Sequence, residues 1–132
     1  FMEYLRKKFV CNNQIKKGRL GVKNALEFLS QNHSIALMID QRVTEGERIK
    51  FFGYEASTTT LPAQLALKYN LEIVPIFIER VNNNFFKMEI YDSILPSNFK
   101  NKLDISKKLN TVLEQMVIRN PNQWIWTHNR WK

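Results

Sequence analysis

Cysteine is nearly missing from this sequence. Cys11 stands alone, so no intrachain disulfide can form and no metal-finger spacing exists. A lone thiol suits a reducing compartment, or a surface that faces one. Histidine is scarce as well, and His33 and His128 with one cysteine are too few for a His/Cys metal site. Glycine occurs four times, never in the spacing of a phosphate-cradling loop, and no Gly-x-Ser-x-Gly elbow is present. No metal and no cofactor are therefore expected. No apolar run approaches the ~18 residues of a membrane-spanning helix, and no signal peptide opens the chain. What is there describes a globular chain: 132 residues, enough for one ordinary domain, with 44% hydrophobic and 24% charged side chains. Phe1 falls inside a helical pattern, so the chain reads as a piece of a longer protein.

Charge is abundant and uneven. The formal net charge is +8. Residues 1–25 carry seven basic side chains against Glu3, whereas residues 26–118 balance ten basic against eleven acidic groups. Arg119, Arg130 and Lys132 make the last stretch basic again. Basic ends around a neutral middle suit a partner bearing phosphates or carboxylates: nucleic acid, anionic lipid or an acidic carrier protein. A solvated basic surface without a partner is the plainer alternative.

The hydrophobic pattern alternates between helical and extended periods. A short basic helix is expected over residues 2–10. Val22, Ala25, Leu26 and Leu29 set an amphipathic helix over 19–31. Ile35-Ala36-Leu37-Met38-Ile39 reads as a strand buried on both faces, ending at Asp40-Gln41. A polar loop runs on to Lys50, and Phe51-Phe52-Gly53-Tyr54 is an aromatic turn. Hydroxyl residues Ser57 to Thr60 precede a helix over 61–69, where Pro62 fits only the first turn. Strands are expected over 73–79, with Pro75 marking an edge or bulge, and antiparallel over 86–91. Leu109, Val112, Leu113, Met116 and Val117 make the clearest helix, 104–119, stopped by Asn120-Pro121. The fold class is α/β, with a central mixed sheet packed by helices.

Candidate functional residues sit mainly at element ends. Asp40 and Gln41 close the 35–39 segment, where ligand crevices form in α/β folds; a plain capping role competes. Thr58, Thr59 and Thr60 at a helix start can meet an anion or simply cap the helix. Arg80 ends the Pro75 strand and could hold a phosphate or face water. His33 lies in a turn and reads as an exposed structural histidine. His128 stands among Trp126, Arg130 and Trp131, where a packed surface role competes with a functional one.

Together these segments resemble the bacterial lipid A biosynthesis acyltransferases. The resemblance is carried by Gly18-Arg19, Ile35 to Asp40-Gln41, Phe51-Phe52-Gly53, Thr58 to Pro62, Val74-Pro75 with Arg80, and Asn120-Pro121 through Trp124, Trp126, His128, Arg130 and Trp131. These blocks follow the family's order along nearly the whole chain. The resemblance implies transfer of a fatty acyl chain from acyl-acyl carrier protein to a lipid A precursor hydroxyl, at the cytoplasmic face of the bacterial inner membrane. It also implies a histidine and, five residues on, an aspartate or glutamate; the acid orients the imidazole that deprotonates the acceptor as it attacks the thioester. Here Met38 stands five residues after His33, and His128 lies too near the end to have such a partner. No catalytic residue is therefore assigned within the chain. The motif and a membrane anchor are expected upstream, and the isolated segment is expected to be inactive. By the same resemblance Arg19 and Arg80 are candidate phosphate contacts. Asp40 and Gln41 are expected to organise the site, and His128 and Arg130 belong to the closing motif. The expected partners are acyl-acyl carrier protein, the lipid A precursor and the membrane surface.

Two other readings compete. One is an acyltransferase for another phospholipid or glycolipid acceptor. The other is a basic nucleic-acid-binding module, which calls for aromatics interleaved with lysines. Here tryptophans and lysines are largely segregated, so nucleic acid is not expected as a partner.

Overall fold

The computed structural model describes residues 1–15 and 18–132, without the side chains of Met2 and Arg19. The fold is mixed α/β and divides into two compact units, Phe1–Leu37 and Met38–Lys132.

The first unit holds two helices. Helix α1, Met2–Phe9, is basic in its last turn through Arg6, Lys7 and Lys8, which favours the negative end of the helix dipole. Lys7 also pairs with Glu3 one turn back, at 3.2 Å. Helix α2, Arg19–Ser30, starts after Gly18, whose φ of 94° suits a residue without Cβ. Its end is closed by Asn32 at φ 60° and by His33, whose Nδ1 lies 3.0 Å from the Gln31 carbonyl. The His33 ring stacks on Phe28 at 5.9 Å. His33 thus works as a helix-end residue, as its place in a turn suggested.

The second unit is built on two antiparallel hairpins and two helices. Strands β1, Glu47–Phe51, and β2, Tyr54–Thr58, are joined by Phe52-Gly53. Both turn residues have positive φ, 52° and 79°, the pattern of a type I′ turn that matches the strand twist. Helix α3, Leu61–Tyr69, takes Pro62 in its first turn, where no amide hydrogen is missed. Asn70 ends it in the left-handed conformation. Strands β3, Ile76–Asn82, and β4, Phe85–Ile90, form the second hairpin, with a bulge between Arg80 and Asn82. Pro75 stands just before β3, and Ile73 makes an isolated bridge to Ile94. Helix α4, Lys102–Arg119, is capped by Asn101, whose side chain accepts from the Leu103 and Asp104 amides at 2.8 and 3.1 Å.

Helix α4 carries the core. On one side Leu113 and Val117 meet Phe51 and Ala56 of the first hairpin, with Phe52, Trp124 and Trp131 packed against them. On the other, Ile105 and Leu109 meet Ala63 of α3 and Ile94, with Ile39 and Ile73 alongside. Arg119 ties the end of α4 to the second hairpin. It bonds Glu89, reaches the Tyr91 hydroxyl at 2.8 Å and lies 4.8 Å from the Phe77 ring.

Two expectations need correcting. Residues 35–39 form no strand, and Ala36, Leu37 and Met38 are exposed. A doubly buried strand needs pairing on its edges and cover on both faces, and among the described residues no strand pairs with this run. The sheet is likewise not one mixed sheet but two separate antiparallel pairs. The segment expected as a polar loop supplies β1 instead, whose inward residues are only Ile49 and Phe51. The outer face of the second hairpin is apolar and uncovered, with Ile76, Ile78, Phe86, Met88 and Ile90 all exposed.

Candidate functional site

The most unusual chemistry in the second unit is a charged side chain in its core. Arg130 is fully buried. Its Nη2 donates to Thr58 Oγ1 at 3.1 Å and to Asn110 Oδ1 at 3.0 Å. The Asn110 amide in turn donates to Thr58 Oγ1 at 3.1 Å and to the Lys50 carbonyl at 3.0 Å. The Arg130 carbonyl accepts from the Ser57 amide at 2.8 Å. One triangle of polar groups therefore joins β1, β2, α4 and the closing segment. The guanidinium sits over the Phe51 ring, 4.2 Å from its centroid, and Trp131 donates its indole N–H to the Phe51 carbonyl at 3.1 Å.

A buried guanidinium needs counter-charge and acceptors. Burial pushes Arg130 below its ordinary pKa, and the charges of Asp40 and then Glu114 oppose that shift. Glu114 is engaged elsewhere, since its Oε1 accepts the Phe52 amide at 2.6 Å and so holds the left-handed turn residue. Asp40 is less committed: its Oδ1 is buried and has no hydrogen-bond partner. Arg130 Nε and Nη1 are likewise buried without partners. Asp40 thus acts on Arg130 by its charge alone, and none of these three unpartnered atoms bonds another.

The remaining expected residues divide clearly. Thr58 joins the Arg130 network. Thr59 and Thr60 serve the start of α3, Thr59 Oγ1 accepting from the Leu61 backbone amide at 3.3 Å and Thr60 Oγ1 from the Gln64 side-chain Nε2 at 2.7 Å. Gln41 follows Asp40 and is half-buried. Arg80 is exposed and turned back on its own hairpin, donating to the Asn83 carbonyl at 3.1 Å over the Phe86 ring. Its backbone is held by Gln123 through bonds of 2.9 and 2.8 Å. None of these contacts joins Arg80 to Asp40 or Thr58. His128 is exposed on the closing segment. The Arg19 side chain lies outside the described residues. Among the described residues no group of His, Cys, Asp and Glu could hold a metal ion, and no helix is long and apolar enough to cross a membrane.

Asn110 and Glu114 were not singled out from the sequence. Both lie on α4 beside the apolar stripe, and an asparagine next to Leu109 and Leu113 on a buried face is the signal that marks it. Trp124 and Trp131 pack on Phe51, with centroids 5.6 and 5.7 Å from its ring, so two of the three tryptophans are committed to the interior.

The family model of bacterial lipid A biosynthesis acyltransferases matches residues 5–132, and the chain belongs to that family. No curated protein matches the chain.

Proposed function

We propose that this chain is part of the enzyme that moves a fatty acyl group from acyl-acyl carrier protein to a hydroxyl of a lipid A precursor. The family match along nearly the full chain is the observation that carries this reading. The hydroxyl oxygen attacks the thioester carbonyl, an ester forms, and the carrier leaves as its thiol. A general base must accept the hydroxyl proton, typically contributing 10²–10⁴-fold. The resemblance implies a histidine–acid pair for that step, and His33 does not provide it, since Met38 stands where its acid would be.

The chain's own residues serve binding and order around that pair. Arg6, Lys7 and Lys8 on α1 suit an acidic carrier protein or anionic lipid headgroups at the cytoplasmic face of the inner membrane. Arg80, exposed on its hairpin, suits a phosphate of the acceptor. Asp40 organises the site from the start of the second unit.

The test is an acyl-transfer assay on two proteins, residues 1–132 and the longer reading frame that contains them. Transfer to the lipid A precursor by the longer protein, and none by residues 1–132, is the expected result. Transfer by the longer protein only to a glycerophospholipid would replace the acceptor. Tight, salt-sensitive nucleic-acid binding with no transfer would replace the reading altogether.

A further inference from the structure

We propose that Gln123 is a positioning residue for phosphate recognition, fixing the main chain of Arg80 so that its guanidinium is presented to a phosphate of the acceptor. This rests on the proposed function, in which Arg80 meets that phosphate, and it gives a role to the turn that follows α4. Gln123 Oε1 accepts the Arg80 backbone N–H at 2.9 Å, and its Nε2 donates to the Arg80 carbonyl at 2.8 Å. One side-chain amide thus satisfies both main-chain groups of a residue forty-three positions away. A carboxamide carries an acceptor and donors side by side, so it can imitate the peptide group of a neighbouring strand. The grip falls where the β3–β4 ladder is irregular, at the bulge between Arg80 and Asn82. Bulges re-aim side chains, and a backbone that leaves the regular ladder needs another hold to keep one direction.

The guanidinium itself is half committed. Its Nη1 donates to the Asn83 carbonyl at 3.1 Å, and its carbon lies 4.7 Å from the centre of the Phe86 ring. Among the described residues no acid pairs with it, and it is exposed. An exposed arginine held at both backbone and side chain, with its charge uncompensated, is prepared for an anion with little ordering left to lose. The turn that carries Gln123 is braced in its own right. Pro121–Gln123 form a short 3-10 turn, the Gln123 backbone amide donates to the Asn120 carbonyl at 3.1 Å, and the Trp126 indole N–H donates to the Pro121 carbonyl at 2.8 Å. The Asn120 side chain donates to Glu79 Oε1 at 3.1 Å, so the turn grips β3 at two consecutive residues. Gln123 touches no phosphate in this scheme and acts through Arg80.

The test is acyl transfer by the full-length enzyme carrying Gln123→Met, Arg80→Ala or both, with the phosphorylated lipid A precursor and with the same acceptor stripped of phosphate. Gln123→Met keeps the length of the side chain and removes both hydrogen bonds; Gln123→Ala is the second variant and should behave alike. We expect KM for the phosphorylated acceptor to rise about tenfold or more in Arg80→Ala and about three- to tenfold in Gln123→Met, with kcat changed less than about twofold. The double variant should be no worse than Arg80→Ala. With the stripped acceptor each variant should match the wild-type enzyme. Equal losses on both acceptors mark a merely structural role and overturn the proposal. Multiplicative losses in the double variant, or an unchanged KM in either single variant, overturn it as well. If the wild-type enzyme acylates no lipid A precursor, the proposed function fails instead. The clamp is then judged by hydrogen exchange at the Arg80 amide, which should be about threefold or more faster in Gln123→Met. Equal exchange overturns it.

Discussion

Arg130 and Thr58, seventy-two positions apart, meet through a 3.1 Å hydrogen bond that is closed off from solvent. Asn110 completes the triangle and bonds both. Replacing Asn110 with alanine removes an acceptor from a buried guanidinium and a donor from Thr58. The expected loss of stability is about 1–3 kcal/mol, read from urea midpoints at unchanged m-value. A loss within error of zero would mean the triangle contributes nothing net.

The Phe52-Gly53 turn depends on left-handed backbone. Gly53 has φ 79°, and a Cβ placed there meets nothing within 4 Å. Gly53→Ala should therefore cost stability through backbone strain alone, about 1–2 kcal/mol. Gly53→Asn, which tolerates that region better, should cost less. Equal stability of all three proteins would show that the turn relaxes to another form.

Ile105 is fully buried in the cluster shared by α3, α4 and Ile94. Truncation to alanine should lower stability by about 2–5 kcal/mol, the usual range for a large aliphatic residue in a packed core. Truncating Ile78, which is exposed on the second hairpin, should change stability by less than about 0.5 kcal/mol. The contrast between these two isoleucines checks the layering of the second unit.

Glu89 provides a pH signature. Hydrogen bonds from Arg119 first, and then Lys87, hold its carboxyl below the ordinary value of 4.5. A carboxyl lowered in the folded state stabilises the fold above its unfolded pKa, and that contribution disappears as pH falls through the folded value. Glu89→Gln should thus be less stable than wild type at neutral pH, and the gap should close as the pH falls below the ordinary value of 4.5 and through the lowered folded one. Thermal melts across that range check it; a gap that persists in acid contradicts the ion-pair origin.

Some of this was written plainly in the sequence, and the reasons are physical. Helix α4 was legible because its apolar stripe recurs at helical spacing and Asn120-Pro121 stops it; only its first turn, set by the Asn101 cap, was placed late. The antiparallel β3–β4 pair was legible in outline, but β3 runs from Ile76 to Asn82 and not over 73–79, because Pro75 ends the pairing on its side and Ile73 makes only an isolated bridge. The first hairpin was recognised only at its turn, because β1 has just two inward residues and its polar positions resemble a loop. Residues 35–39 misled in the opposite direction: an unbroken apolar run signals burial but cannot supply the pairing partner that burial requires. The site was half legible. Asp40, Thr58 and Arg130 could each be picked as candidates, but only packing shows that Thr58 bonds Arg130 while Arg80 folds back on its hairpin. The polar role of Asn110 was hidden within a helix face that otherwise reads as core.

The decisive measurement is acyl transfer by the full-length enzyme, followed by mass spectrometry of the lipid product. Acyl-acyl carrier protein and a lipid A precursor should yield the precursor with one added ester-linked acyl chain, together with free carrier thiol. An intact precursor after prolonged incubation with folded, full-length protein would contradict the assignment of this chain to lipid A acylation.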